Sequence, residues 1–165
     1  KKYDIMNRGH DGFTIHGVKR ILEKECILKR PDVVSILIGC NDVGVMMNTG
    51  KSLEEQQFEA CYEAIVKEIT EQLDAKLICM SPFIVPYPGM YENWIPGIKQ
   101  TERIEKKIAE KYHADFLTLQ DMIILKAENA GYESVTTDGI HLTEYGNEII
   151  AGAWLQLFEK IKDGD

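Results

Sequence analysis

The chain has 165 residues, a formal charge of −8 and a pI near 5.1. That length supports one domain with a real core, so residues 1–165 are read as a single domain. The acidic balance and the absence of a Lys/Arg cluster argue against nucleic acid as a partner, and no apolar run approaches the roughly 18–20 residues of a membrane span.

The four cysteines, Cys26, Cys40, Cys61 and Cys79, are scattered. They read as small buried hydrophobes in a reducing compartment, which points weakly to the cytoplasm. The paired spacing of a zinc site is missing, so no metal and no cofactor is expected. The chain opens Lys1-Lys2-Tyr3-Asp4, with no Met and no signal-like apolar segment, which leads us to expect a further segment upstream.

In chain order, Tyr3–Asn7 is a short candidate strand. It runs into Asn7-Arg8-Gly9-His10-Asp11-Gly12-Phe13-Thr14, whose two glycines three apart suggest a tight turn with exposed backbone N–H groups. The dinucleotide fingerprint is not there, because G-x-G is missing. Ile15, Val18, Leu22 and Cys26 recur at helical spacing until Pro31 stops the pattern. Val33-Val34-Ser35-Ile36-Leu37-Ile38 then forms a nearly continuous apolar, β-branched run, which fits a strand covered on both faces of a parallel sheet. It ends at Gly39, with Asn41 and Asp42 just beyond. Polar groups past a strand's carboxyl end are where open α/β sheets bind ligands, although Gly, Asn and Asp are also ordinary turn residues.

Residues 43–51 read as a loop. Ser52-Leu53-Glu54-Glu55 is a capping box for a helix with an apolar stripe at Phe58, Cys61, Tyr62, Ile65, Ile69 and Leu73. Residues 75–80 (AKLICM) predict another strand. Residues 83–97 form a proline-rich loop with Tyr87, Tyr91 and Trp94, either lidding the sheet edge or forming a wall for substrate. A helix carrying Ile104, Ile108, Ala109 and Tyr112 follows, then a strand at 114–119 and a helix at 121–130 stopped by Gly131. Thr143 caps a last helix with Ile149, Ile150, Ala153, Leu157 and Ile161 as its buried stripe. The order β-α-β-α-β-α-β-α-α implies a parallel sheet with helices on both faces.

Asp138-x-x-His141 lies just before that last helix. A carboxylate three residues ahead of a histidine can hold one ring nitrogen and leave the other free to take a proton. One Asp and one His are too few for a metal.

Taken together, Asn7-x-Gly9-x-x-Gly12-x-Thr14, Gly39-x-Asn41-Asp42 and Asp138-Gly-Ile-His141-Leu-Thr resemble, in order and spacing, the SGNH (GDSL-type) hydrolase family. The resemblance covers essentially the whole chain. It implies a three-layer α/β/α, flavodoxin-like fold and ester hydrolysis through a seryl intermediate. It further implies His141 as general base and then acid, Asp138 as its orienting partner, and the Gly12 N–H with the Asn41 side-chain amide as the oxyanion hole. His10, Asp42, Tyr87 and Trp94 are candidate substrate contacts. Asp11 stands where many relatives have Ser and is expected to point away from the oxyanion.

The family's Gly-Asp-Ser block is not found. Ser35 lies inside a strand, Ser52 caps a helix, Ser81 precedes a proline and Ser134 lies in a loop. Cys40 lacks a nearby cation or helix start to activate it. The missing block also carries the family's first, central strand. Three outcomes are open: an upstream segment brings it, a second chain (another copy of this one included) supplies the strand, or the sheet closes in its own way. The expected partner is a small-molecule acyl ester, with an acetylated carbohydrate as the favoured class. The rival reading is a non-catalytic α/β module that binds such ligands without turnover.

Overall fold

The computed structural model describes residues 3–162. Three strands, β1 (Val33–Leu37), β2 (Lys76–Met80) and β3 (Asp115–Leu117), form a parallel sheet in the order β1-β2-β3. Val34 pairs with Leu77 and Ile36 with Cys79, and Cys79 in turn pairs with Phe116. Side chains alternate across a strand, so this register sends Val34, Ile36, Leu77 and Cys79 to one face. There they join the core of α1 (Ile15–Glu25), α3 (Phe58–Gln72) and α4 (Ile95–Lys111). Ile78 and Met80 face the other way, onto α5 (Gln120–Ala130) and α7 (Glu144–Lys162). Two short helices, α2 (Cys40–Thr49) and α6 (Tyr132–Val135), complete the three layers.

Several expectations change here. Residues 3–10 form no strand: Tyr3, Ile5 and Met6 are exposed, and nothing among the described residues pairs with them as a ladder. The span read as a loop after Gly39 is α2, which forms although Gly44 and the Asn and Thr around it are poor helix formers. Its stability comes from packing of Val43 and Met46 against Ile98, Trp94 and Ile95.

β1 is covered on one face only. Ser35 is exposed, as is Leu37, at 45% of its surface. β2, flanked on both sides, is the strand buried on both faces. Likewise α7's apolar stripe is half-buried, with only Gly146 and Phe158 fully enclosed. Both departures have one cause. Among the described residues β1 has a single neighbour, so the sheet surface against which the rest of α7 would pack ends there.

The capping box forms as written, Ser52 N–H donating to Glu55 Oε2 at 2.8 Å and Glu55 N–H to Ser52 Oγ at 3.1 Å. It closes a turn ahead of α3, which starts at Phe58 after the left-handed Gln57.

Candidate functional site

The candidate residues gather at the carboxyl ends of β1 and β2. β1 leaves the sheet into Gly39, whose φ of 110° suits glycine, and α2 begins at the next residue. This places Asn41 in the first turn of α2. Its Nδ2 donates to the Phe13 carbonyl at 3.0 Å, tying the α2 start to the segment that carries Gly12. Asp42 is fully buried, and its two carboxyl oxygens accept the Ile15 N–H at 3.1 and 3.2 Å. It thereby satisfies an N–H that α1 cannot pair internally. Burial outweighs these bonds and pushes Asp42 up to about 6. Placed so, Asp42 is a clamp between α1 and α2 and not a group turned toward ligand.

Gly12 sits in an exposed turn with φ of 73°, and its N–H has no acceptor among the described residues. The turn closes weakly, Phe13 N–H to His10 carbonyl at 3.4 Å. His10 stacks on Phe13 with centroids 4.6 Å apart. Both line a cavity of about 200 Å³ together with Leu37, Gly39, Asn41 and Ile140.

The Asp138–His141 loop is bound far more tightly. Asp138 Oδ2 meets His141 Nδ1 at 2.7 Å, while Asp138 Oδ1 accepts the N–H groups of Ile140 and His141 at 2.9 and 2.8 Å. Thr136 Oγ1 accepts the Gly139 N–H at 2.8 Å and donates to the His141 carbonyl at 2.7 Å. The Val85 N–H donates to the Gly139 carbonyl at 2.9 Å, anchoring the loop to the exit of β2. That exit is itself held by Gln120, whose side chain bonds both N–H and C=O of Ile84 at 2.8 and 2.9 Å.

The hydrogen bonds from His141 hold Asp138 down at about 2, and the same contact raises His141 above the ordinary imidazole value, with a smaller push from the charge of Asp11. His141 Nε2 has no partner among the described residues and its side chain is 74% exposed. An imidazole held at Nδ1 by a carboxylate, with Nε2 open, has the geometry to move a proton at Nε2.

Trp94 packs edge-on to Tyr91 and against Gly44 of α2, and Tyr87 is partly exposed. Neither lines the cavity beside Asn41. Trp94 covers α2, and neither residue forms a wall of that cavity. Cys40 does start a helix, contrary to expectation, yet burial and the charges of Asp42 and Asp138 push its thiol up to about 11, which disfavours the nucleophilic thiolate.

All four serines are engaged elsewhere. Ser35 Oγ accepts the Trp154 indole N–H at 2.7 Å, Ser81 Oγ accepts the Leu119 N–H at 2.8 Å, Ser52 closes its capping box, and Ser134 bonds back to the Gly131 carbonyl at 2.7 Å. Sequence reasoning missed Gln120 and Thr136 as supports of the site, and Glu105 of α4, which is fully buried behind Gly39. For Glu105 the signal was present: it falls at helical spacing with Ile98, Thr101 and Ile108. Among the described residues no cluster of three or more His, Cys, Asp or Glu is placed to hold a metal, and no helix is long and apolar enough to cross a membrane.

Comparison with known proteins identifies relatives of the chain and of its fold. The chain is 27% identical over 155 residues to an acetylxylan esterase of Geobacillus stearothermophilus, covering 92% of this chain and 70% of that one. It is 27% identical over 181 residues to the human isoamyl acetate-hydrolyzing esterase 1 homolog, covering 97% of this chain and 70% of that one.

The crystal structure of the Geobacillus enzyme superposes with a TM-score of 0.76 at 26% identity, over 88% of this chain and 67% of that one. A GDSL-like lipase structure from Parabacteroides merdae shares the fold with a TM-score of 0.82 at 24% identity, over 91% of this chain and 70% of that one. The family model of the GDSL-like lipases and acylhydrolases matches residues 1–149. With that match and the three-layer fold in agreement, the chain belongs to the GDSL-like lipase/acylhydrolase family of carboxylic ester hydrolases.

Proposed function

We propose that this chain supplies the base and oxyanion halves of a serine ester hydrolase acting on small acyl esters, with an acetylated carbohydrate as the favoured substrate class. The observation that carries the reading is the Asp138–His141 pair, with Nδ1 held at 2.7 Å and Nε2 open. Support for acetyl esters comes from the relatives, one named for acetylxylan and another for isoamyl acetate. Crystal structures of the Geobacillus enzyme include forms described as catalytic mutants at an Asp, at a His three residues later and at a Ser. Asp138 and His141 have that same spacing.

In this reading His141 takes the proton of a seryl hydroxyl and returns it to the leaving alcohol. Asp138 fixes the tautomer and offsets the imidazolium charge. The Gly12 N–H and Asn41 Nδ2 meet the oxyanion of the tetrahedral intermediate. The serine lies outside residues 1–165 in this proposal, because each of the four within them already has a structural bond.

The test is turnover of p-nitrophenyl acetate and acetylated xylo-oligosaccharides by the encoded protein, with intact mass measured after a fluorophosphonate. One adduct, and a loss of roughly 10⁴-fold or more in His141→Ala, are expected. Full turnover by His141→Ala would end the assignment.

A second reading, a binding module without turnover, is favoured by the same engagement of all four serines. It predicts acetyl-sugar binding with no adduct.

A further inference from the structure

α4 carries a carboxyl group on its buried face. Glu105 is fully buried, and neither of its oxygens has a hydrogen-bond partner among the described residues. A charged carboxylate without donors is one of the costliest groups a core can hold. The groups that face it offer no relief. Asp42 from α2, Tyr62 from α3, Cys79 from β2 and Glu102 from α4 itself are all acids or neutral. The Tyr62 hydroxyl is also buried without a hydrogen-bond partner. Lys99 is engaged with Glu102 and Asp121.

The location gives this carboxyl its interest. Its Oε1 lies 3.4 Å from the point where a side chain on Gly39 would begin, beside the Thr101 methyl at 2.6 Å and Pro82 at 3.1 Å. Glu105 therefore backs the turn that starts α2 and sets Asn41.

We propose that Glu105 is a positioning residue for the Gly39–Asn41 turn: as a neutral carboxylic acid it fills the space behind Gly39, and on gaining charge it drives that turn out of register with the cavity. The functional weight of the turn rests on the reading of Asn41 as an oxyanion donor. Burial holds Glu105 well above the usual carboxylate range, and the charges of Asp42 and Glu102 act in the same direction. A carboxyl neutral in the fold and ionised when unfolded loses stability for the chain as pH rises from the ordinary range up to its own midpoint. Glu105→Gln keeps the shape and removes that slope.

The experiment is NMR on the whole chain with carbon-13 in the glutamate carboxyls, following the amide signals of Gly39, Cys40 and Asn41 as pH is raised. The expected result is a Glu105 carboxyl that stays protonated after the surface glutamates have ionised, with the three amides moving at its midpoint. In Glu105→Gln those movements disappear and the thermal midpoint at pH 8 is higher than in the parent. Titration of Glu105 alongside the surface glutamates would overturn the proposal, as would amides that stay still while it ionises. So would alkaline loss of the whole fold in place of a local shift. The parent titration decides the matter even where Glu105→Gln fails to fold. None of these readouts uses ester turnover. Turnover that survives Asn41→Ala would remove the oxyanion assignment and leave the Glu105 result standing.

Discussion

The two halves of the proposed catalytic machinery are built in opposite ways. The base half, residues 136–143, is over-determined: Asp138 alone receives bonds from two backbone N–H groups and the His141 ring, and Thr136 and Val85 hold the same loop from either side. The oxyanion half rests on long-range ties. Gly12 lies in an exposed turn joined to the rest of the site by one bond from Asn41 to Phe13, and behind that by the Asp42 clamp on Ile15. A pair three residues apart can be prearranged by its own loop. Two donors 29 positions apart in sequence (41 − 12) must be brought together by tertiary packing, and their alignment depends on everything between them.

Substitution can break that contrast. Within the oxyanion half the largest effect is expected at Asn41→Ala, which removes a proposed oxyanion donor and the tether to Phe13 together. The hydrolase carrying its serine should lose roughly 10²–10³-fold in kcat, while unfolding shows a loss of only about 1 kcal/mol for the exposed bond. A KM effect with kcat unchanged would move Asn41 from the oxyanion to substrate binding.

Next comes a matched pair of glycines. Gly139 and Gly12 both have positive φ, 101° and 73°. A Cβ on Gly139 would meet the Val85 carbonyl at 2.8 Å and the Tyr87 carbonyl at 3.0 Å, whereas one on Gly12 meets nothing within 4 Å. Gly139→Ala should therefore cost about 3 kcal/mol or more in denaturant unfolding, and Gly12→Ala only about 1 kcal/mol, the backbone strain alone. Equal costs would mean that the two loops are equally constrained.

The smallest expected shifts are those of the pH profile. As the proposed base His141 would work only when neutral, and Asp138 raises its pKa, so the acid limb of kcat/KM is expected above the ordinary imidazole value. Asp138→Asn removes the main cause of that rise and should move the limb toward lower pH, with a large drop in rate besides. Asp11→Asn removes the lesser charge and should move it in the same direction by less, with the rate largely kept. A limb unmoved by Asp138→Asn would mean that His141 is not the titrating base.

Much of this arrangement was legible in the chain because its signals are local. The stripes of α1 and α3, the apolar run of β1 and the Asp138-x-x-His141 spacing all lie within a few turns or a single loop. What escaped reading was set by distance. The oxygens of Asp42 find Ile15, which no spacing rule connects. α2 contains Gly44 and lacks a side-chain cap, and it is a helix because Trp94 and α4 lie against it. Glu105 stands on a helix rich in charged residues, and its burial is set by the elements that pack over it. Residues 3–7 have strand-like composition, yet a strand needs a neighbour, and none of the described strands is beside them.

The indole of Trp154 reaches over the free side of β1 to the Ser35 hydroxyl, stacked on Phe158 with centroids 5.0 Å apart. The chain has two tryptophans, and the other, Trp94, sits over α2 beside the candidate site. The molecule thus carries two indole fluorophores in separate places. A peptide or second chain that docks along β1 would dry the surroundings of Trp154 and shift its emission to the blue. Trp94, packed on Tyr91 and α2, would keep its emission, so a pair of Trp→Phe variants turns ordinary fluorescence into a test of whether a partner lands on β1.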